Sequence, residues 1–327
     1  MQIETSARLH VSLIDLNGST NRIDGSLGIT LKEPPLIIEC EESINDTNIH
    51  FSDNPSKNIK DEYITRIYDS SEKILNYIGI NKNYEFNIKK SYPVHLGLGS
   101  GTQISLSVAK LLSEINNHRF TVSELGRIVK RGGTSGIGVE AFDKGGIIID
   151  GGHKKSLKNG FLPSSASDTA PPPIIARYDF PKEWKIIVTT PIIEEGASGS
   201  KEVNIFKKYT PIDLHSVEII SHTILMNIMP AILEEDLDTF GKGINKIQSV
   251  GFKSIERKIQ NPIINRLIDN MNNAGASCAG MSSFGPTCFA ITDSNTKTIK
   301  HAINDTLKDI NQHTIITTAR NEGAKLN

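Results

Sequence analysis

Apolar and polar positions alternate through residues 3–16, "IETSARLHVSLIDL", a period of two that predicts a strand with one buried face. "SLGITL" (26–31) and "LIIEC" (36–40) repeat the alternation between glycine, proline and charged turns. The period then changes. In "EYITRIYDSSEKILNYIGI" (62–80), Ile64, Ile67, Ile74, Leu75 and Ile78 fall on one helical stripe. "YEFNIKKSYPV" (84–94) alternates again as a strand. Next, "HLGLGSGTQ" (95–103) sets Gly97, Gly99, Gly101 and Ser100 at the mouth of a helical pattern, "ISLSVAKLLSEI". A further helix follows in "TVSELGRIVKR" (121–131), where Thr121 and Glu124 have the spacing of a capping box.

The second half restarts with a strand, "WKIIVTTP" (184–191). Helical patterns follow in "DLHSVEIISHTILMNIM", "LDTFGKGINKIQSV" and "NPIINRLIDNMNNAG", and the strands "TCFAITD" and "TIITTA" flank the helix "NTKTIKHAINDTLKDI". Met226 and Met229 read as core packing. Strands and helices mixed in both halves indicate an α+β protein of two lobes, which a doubly wound dinucleotide fold fits less well. The Ser-, Pro- and Gly-rich stretch 158–173, "KNGFLPSSASDTAPPP", is the expected domain boundary, giving domains at 1–160 and 171–327.

Composition narrows the function. The 36 Lys and Arg against 37 Asp and Glu leave a net charge of −1, which argues against a nucleic-acid binder while permitting a local basic pocket. The opening residues lack the basic and apolar regions of a secretory signal, and no apolar run approaches the ~18 residues of a membrane span, so a cytoplasmic chain is expected. Cys40, Cys278 and Cys288 form no CxxC pair and read as reduced, mostly buried thiols. No zinc or other metal spacing appears among the nine histidines, and no G-x-S-x-G hydrolase elbow is present.

Several segments are dense in chemistry. A glycine-rich loop before a helix suits an anion, since helix N-termini offer unpaired N–H groups and a positive dipole end; it also suits a flexible loop, and the run alone leaves both open. "KRGGTSGIGVEAF" (130–142) repeats the small-residue theme behind Arg131. "ARLHVSLIDLNGSTNRIDGSLG" (7–28) carries Arg8, His10, Asp15, Asn17, Arg22 and Asp24, and "IIIDGGH" ends in Asp150 and His153. Two glycine-rich loops with adjacent arginines are what a polyphosphate requires, and paired carboxylates can hold a magnesium ion bridging its oxygens. "DLNG" and "IDGS" are also good turn sequences, so Asp15 and Asp24 keep that second reading. His10 and His153 could carry a proton or make a structural hydrogen bond; His215, His222, His301 and His313 read as surface or structural residues.

"PVHLGLGSGTQ", "RGGTSGIGVEAFDKGG" and "AGMSSFGPTCFAI" resemble the phosphate loop, second small-residue segment and C-terminal glycine motif of the GHMP kinase superfamily, over nearly the whole chain. The resemblance implies an N-terminal domain like the second domain of ribosomal protein S5, a C-terminal α+β domain, and a ligand between them. Two departures matter. Gly101 stands where these kinases commonly carry a second serine, and Gly138 stands at the Asp of their S-G-x-D segment. Glycine cannot accept a proton, so a kinase mechanism built on that Asp has no support here.

"SARLHVSLIDLNGSTNRIDGSLGITLKEP", "HLGLGSGTQ", "RGGTSGIGVEAF", "GGIIIDGGH" and "MSSFGPT" together resemble the β-ribofuranosylaminobenzene 5′-phosphate synthase family of methanopterin biosynthesis in archaea. That resemblance implies a glycosyltransferase (pentosyltransferase) with coupled decarboxylation: phosphoribosyl pyrophosphate condenses with 4-hydroxybenzoate or 4-aminobenzoate, releasing CO2 and pyrophosphate. It implies Mg2+ as cofactor and a homodimer, with no nucleic acid or membrane partner. Substrate contacts are expected from Arg8, Asn17, Arg22, Gly97, Leu98, Gly99, Ser100, Gly101 and Thr102. Further contacts are expected from Arg131, Gly132, Gly133, Thr134, Ser135 and Ser282. Catalytic roles are expected of Asp24, His10 and His153, and metal contacts of Asp15, Asp24 and Asp150. An ATP-dependent small-molecule kinase and a catalytically silent binder of phosphoribosyl pyrophosphate are the alternatives.

Overall fold

A computed structural model describes residues 1–158, 160–163, 166–193 and 200–327. β1 (Gln2–Asp15) and β2 (Arg22–Ser43) form a long antiparallel ribbon in which Leu9 lies opposite Ile29 and Asp15 opposite Asp24. The strands expected at 26–31 and 36–40 are two halves of β2, because both keep their pairing with β1. β4 (Asn83–Lys90) continues the sheet antiparallel to β2, and the short β3 (Asn48–Phe51) adds parallel to β4. β5 (Ile147–Asp150) and β6 (His153–Lys154) pair with the first half of β2.

Helices α1 (Lys57–Ile78) and α2 (Ser100–Ile115) close this sheet, burying Tyr63, Ile67 and Ile74 from one and Ile104, Val108 and Leu111 from the other. α3 (Val122–Ile128) starts with the capping box expected from its sequence. The Glu124 amide donates to Thr121 Oγ1 at 3.2 Å, and the Thr121 amide to Glu124 Oε2 at 2.8 Å. α4 (Ile137–Asp143) lies against β2 so closely that a Cβ on Gly28 would fall 2.2 Å from Ile137 Cγ2.

The expected boundary is displaced. β7 (Ile174–Tyr178), assigned by pattern to the second domain, pairs with β5 and so extends the first sheet; Asn159, Ser164 and Ser165 of the 158–173 stretch lie outside the described residues. Strand pairing is non-local, and local composition carries no trace of it. The chain's last strand, β12 (Lys325–Leu326), also returns to the N-terminal lobe, on the edge of β1.

The second lobe has an antiparallel sheet of β8 (Lys185–Pro191), β9 (Cys278–Met281), β10 (Cys288–Thr292) and β11 (Gln312–Thr317), in the order β11-β8-β10-β9. Its alternation divides two cores. Ile187 and Ala290 face α10 (Pro262–Asn273) and α11 (Thr296–Thr306). Ile186, Val188 and Phe289 face the main core, with Ile220 of α6 (Leu214–Thr223), Ile232 of α7 (Met229–Glu234) and Phe240 of α8 (Leu237–Ile247). α5 (Ser200–Tyr209) and α9 (Gly251–Ile259) flank the junction between lobes. The three cysteines are free and buried.

Two expectations need correction. Residues Leu214–Glu234 run as one helical stretch of 21 residues, through a wider turn at Ile224–Ile228, that is long and apolar enough to cross a membrane. Its inward side, including Val217, Ile224 and Ile228, is buried in the protein. Met226 is not core: it is 57% exposed beside Leu225 and Leu233, while Met229 packs on the core. A helix apolar on both faces hides which methionine turns inward.

The capping box predicts a stability cost without any functional one. Thr121→Ala should lower unfolding free energy by about 1 kcal/mol in urea titration, since both hydrogen bonds pass through the Thr121 side chain or depend on its position.

Candidate functional site

The glycine loop is built, not loose. Gly97 and Gly99 have φ of +87° and +79°, a region closed to most side chains, and Gly99 is the residue before the first turn of α2. Arg8 reaches over from β1 and its Nη1 donates to the Gly97 carbonyl at 2.7 Å, while its own amide donates to the Leu98 carbonyl at 3.1 Å. Ser282, at the end of β9, donates to the same Gly97 carbonyl at 2.7 Å and accepts the His10 amide at 2.9 Å. Any Cβ on Gly97 would stand 2.3 Å from the Ser282 carbonyl oxygen. The first lobe, the loop and the second lobe therefore share one junction.

Beside this junction lies a cleft of about 230 Å³, and the loop residues Gly97, Gly99, Ser100, Gly101 and Thr102 line it together with Arg8, Arg66 and Arg131. The three guanidiniums arrive from β1, α1 and the segment after α3. A Cβ on Gly99 would meet the Arg8 guanidinium at 2.9 Å, and one on Gly101 the Arg66 guanidinium at 2.9 Å. Arg66 is paired with Glu62 at 2.5 Å, which also contacts His95 at 3.1 Å. Arg8 and Arg131 have no carboxylate partner among the described residues. Burial pulls both down to about 10, with the neighbouring Arg66 adding repulsion at Arg131, so both stay cationic at neutral pH. Partly buried cations without counter-charge are costly, and an anion at the N-terminus of α2 would offset that cost.

His10 sits against the same cleft, 7% exposed, with Nδ1 lacking a hydrogen-bond partner among the described residues. Burial, then Arg8 and Lys253, hold it well below its ordinary pKa, so its ring is neutral. From the second lobe come Glu202 and Phe206 of α5, Glu256 of α9 and the Ser283–Gly285 turn. Lys253 pairs with Glu256 and its Nζ donates to the Ser283 carbonyl at 2.9 Å.

The expected residues separate into groups. Arg8, His10, Gly97, Gly99, Ser100, Gly101, Thr102, Arg131, Thr134 and Ser135 line the cleft. Leu98 is the buried centre of the loop, and Ser282 ties it from behind. Gly132 and Gly133 pack against Pro171 and Ser167.

Asp24, His153, Asp15, Asn17, Arg22 and Asp150 do not line the cleft. Asp24 Oδ2 accepts from His153 Nδ1 at 2.7 Å and Lys158 Nζ at 2.9 Å, and Lys158 in turn donates to Thr134 Oγ1 at 2.9 Å. The pair thus supports the cleft wall from behind. Arg22 donates to the Gly151 and Gly152 carbonyls, both at 2.9 Å, and Asn17 Nδ2 to the Ile212 carbonyl at 2.7 Å.

The three carboxylates expected at a metal do not converge: no group of three metal-ligating side chains occurs among the described residues. Asp15 Oδ1 accepts the Asn17 and Gly18 amides at 2.8 Å, which is the turn chemistry its sequence also allowed. Asp150 accepts the Gly136 amide at 3.0 Å, the Gly152 amide at 2.9 Å and the Ser26 hydroxyl; burial nevertheless pushes it up to about 6. Gly138, inside α4, offers its carbonyl to Gln103 Nε2 at 2.8 Å, and its Cα side faces Thr102.

Sequence reasoning missed Arg66, Glu202, Lys253 and Glu256. Each sits on a helix whose local pattern is ordinary, and only the tertiary fold turns Arg66, Glu202 and Glu256 toward the cleft and sets Lys253 against Glu256. A signal existed for Arg66 alone, as a cation next to the apolar stripe at Ile67.

Comparison places this architecture. The GHMP kinases N terminal domain matches residues 62–146, and GHMP kinases C terminal matches residues 228–309. A homoserine kinase structure from Cytophaga hutchinsonii superposes with a TM-score of 0.70 at 15% identity, covering 99% of this chain and 96% of that one, a likeness of fold. Fold and glycine-loop cleft thus define the GHMP kinase class. Within that class, the β-ribofuranosylphenol 5′-phosphate synthase of Methanothermobacter thermautotrophicus is 48% identical over 98% of this chain and 97% of its own. The synthase of the same name from Methanocaldococcus jannaschii is 44% identical over 100% of both. The chain belongs to the β-ribofuranosylphenol 5′-phosphate synthase family, and it is an enzyme.

Because Asp24 is fully buried between two bases, its replacement has a structural consequence. Asp24→Asn should destabilise the fold by about 3–5 kcal/mol, seen as a lowered thermal midpoint, because Lys158 loses its counter-charge. An unchanged midpoint with lost turnover would instead make Asp24 a reacting group.

Proposed function

We propose that the enzyme condenses phosphoribosyl pyrophosphate with 4-hydroxybenzoate, releasing pyrophosphate and CO2. The observation that carries this reading is the set of Arg8, Arg66 and Arg131 at the N-terminus of α2, two of them partly buried and without a carboxylate partner among the described residues. Such a set suits a diphosphate: backbone N–H groups contact the oxygens and guanidiniums take the spread charge. The hydroxyl acceptor follows the relatives' name, whose product is a ribofuranosylphenol 5′-phosphate; an amine in that position corresponds to 4-aminobenzoate.

The bonds balance without a redox partner. The anomeric C–O bond breaks as pyrophosphate leaves, and the ring carbon bearing the carboxylate bonds to the anomeric carbon. The C–CO2 bond then breaks and returns its electron pair to the ring. Arg8, Arg66, Arg131 and the loop amides stabilise the charge gathering on pyrophosphate, the dominant demand of an oxocarbenium-like transition state. Holding the two carbons in line supplies the rest.

A Mg2+ ion entering on the diphosphate oxygens would meet the hydroxyls of Ser100 and Thr102, both at the cleft, in place of Asp15, Asp24 or Asp150. Bound there it would offset leaving-group charge. The kinase alternative loses ground at Gly138, where the helix backbone packs on Thr102 and no carboxylate stands.

The direct test is incubation with phosphoribosyl pyrophosphate, Mg2+ and 4-hydroxybenzoate, with pyrophosphate and CO2 followed together. Equal yields of both support the reading. Transfer of γ-phosphate from labelled ATP to a small alcohol, with neither product formed, would replace it by a kinase. Ser100→Ala should raise KM for phosphoribosyl pyrophosphate roughly tenfold to a hundredfold, the worth of one hydrogen bond to a charged group, with little change for the benzoate.

A further inference from the structure

The cleft has a second end with different chemistry. Beside the second-lobe helices α5 and α9 its wall is apolar, formed by Leu13, Phe206 and Phe284. Phe206 and Phe284 belong to an aromatic cluster completed by Phe252, with ring centroids 4.8 Å (Phe206–Phe252) and 6.2 Å (Phe206–Phe284) apart. At this end stand the carboxylates Glu202 and Glu256. Charge along the cleft changes in order: Arg131 feels Arg66, Lys253 feels Arg8 and Glu256, and Glu202 feels Glu256.

We propose that this end seats the acceptor's aromatic ring against Leu13, Phe206 and Phe284, and that the Glu202 carboxylate is the base that takes the proton from the ring hydroxyl. The assignment rests on the reading above that a hydroxybenzoate is the acceptor. Para substituents lie at opposite ends of a ring. With the carboxylate-bearing carbon turned to the ribose and the cationic end, the hydroxyl must point away from the arginines. An apolar wall suits the ring between those two ends.

Two carboxylates are present, and their surroundings differ. Glu256 is already engaged by Lys253, which is buried with it and anchored to the Ser283 carbonyl. Glu202, one helical turn before Phe206, makes no ion pair among the described residues. Burial first, and the neighbouring Glu256 second, push it up to about 7, a suitable basicity for a group that must accept and return a proton near neutrality. The charged and titratable groups facing this end are Glu256 and Lys253 on α9 and His10 and Arg8 on β1. His10 is held neutral and Arg8 is held at the loop.

In the step, the O–H bond breaks as Glu202 takes the proton, and the freed pair enters the ring. The ring carbon opposite bonds to the anomeric carbon while pyrophosphate departs. Loss of CO2 leaves its electron pair in the ring, and Glu202 returns the proton to oxygen. Glu202 is thereby regenerated.

The test compares 4-hydroxybenzoate with 2,3,5,6-tetrafluoro-4-hydroxybenzoate, whose four ring fluorines keep its hydroxyl ionised well below neutral pH. Glu202→Gln should lower kcat on 4-hydroxybenzoate roughly a hundredfold or more, with KM for phosphoribosyl pyrophosphate unchanged within about twofold. On the fluorinated acceptor, the variant should stay within about threefold of the unaltered enzyme, because no proton remains to be removed. Equal losses on both acceptors, or no loss on either, overturn the assignment.

Should the variant fail to fold, the unaltered enzyme decides. Its rate should rise with pH through about 7 on 4-hydroxybenzoate, as Glu202 loses its proton, and lack that limb on the fluorinated acceptor. The same limb on both overturns the proposal. Failure of the unaltered enzyme to release pyrophosphate and CO2 at all would overturn the reading of function itself, a result distinct from either.

Discussion

The Gly97 carbonyl is the point on which the site depends. It accepts from Arg8 Nη1, which arrives from the first strand, and from Ser282 Oγ, which arrives from the other lobe. With a positive φ, and with the Ser282 carbonyl oxygen where a Cβ would stand, that position admits glycine alone without rearrangement. The loop's shape is thus set by contacts from both lobes, and α2 begins where those contacts leave it. Buried Gln248 adds a second tie, its Nε2 donating to the Val11 carbonyl at 2.7 Å and its Oε1 accepting the Met281 amide at 3.0 Å.

From this junction the charge layout follows. Arg8 serves the loop and faces the cleft at once, so the cation that shapes the loop also puts positive charge on the cleft. Arg131 and Arg66 add charge from elements that pack on α2, and an anion in the cleft would relieve their mutual repulsion. The fold alone hosts kinases, as its neighbours show, and the difference lies in the site. Where kinases of this class place a carboxylate, this chain has Gly138 packed on Thr102. Its cleft carboxylates stand instead on α5 and α9, in the second lobe.

What could be read from the sequence was what short-range physics determines. Thr121 and Glu124 cap α3 as their spacing indicates, and the three-glycine run does head a helix. Arg8, His10 and Arg131 were legible because they lie inside or beside segments dense in small and polar residues. Asp24 and Asp150 were equally conspicuous for that reason, yet both are held within the protein, Asp24 through Oδ2 by His153 and Lys158, Asp150 by amides and Ser26. A polar cluster in sequence does not distinguish a ligand site from a buried strut. Glu202 and Glu256 were illegible for the opposite reason: amphipathic helices carry many glutamates, and only packing against β1 and the Phe284 turn selects these two. β7 shows the same limit for fold, since its place beside β5 is decided by pairing across sequence.

The central claim is that three guanidiniums and the head of α2 hold a diphosphate. Titration calorimetry of inorganic pyrophosphate into the unaltered enzyme and into Arg66→Met tests it most directly, because no acceptor or turnover is involved. One site per chain is predicted, with affinity roughly tenfold to a hundredfold weaker in the variant, and the loss shrinking as salt rises. Equal affinity in the two proteins, or no binding to the unaltered enzyme, would contradict the account.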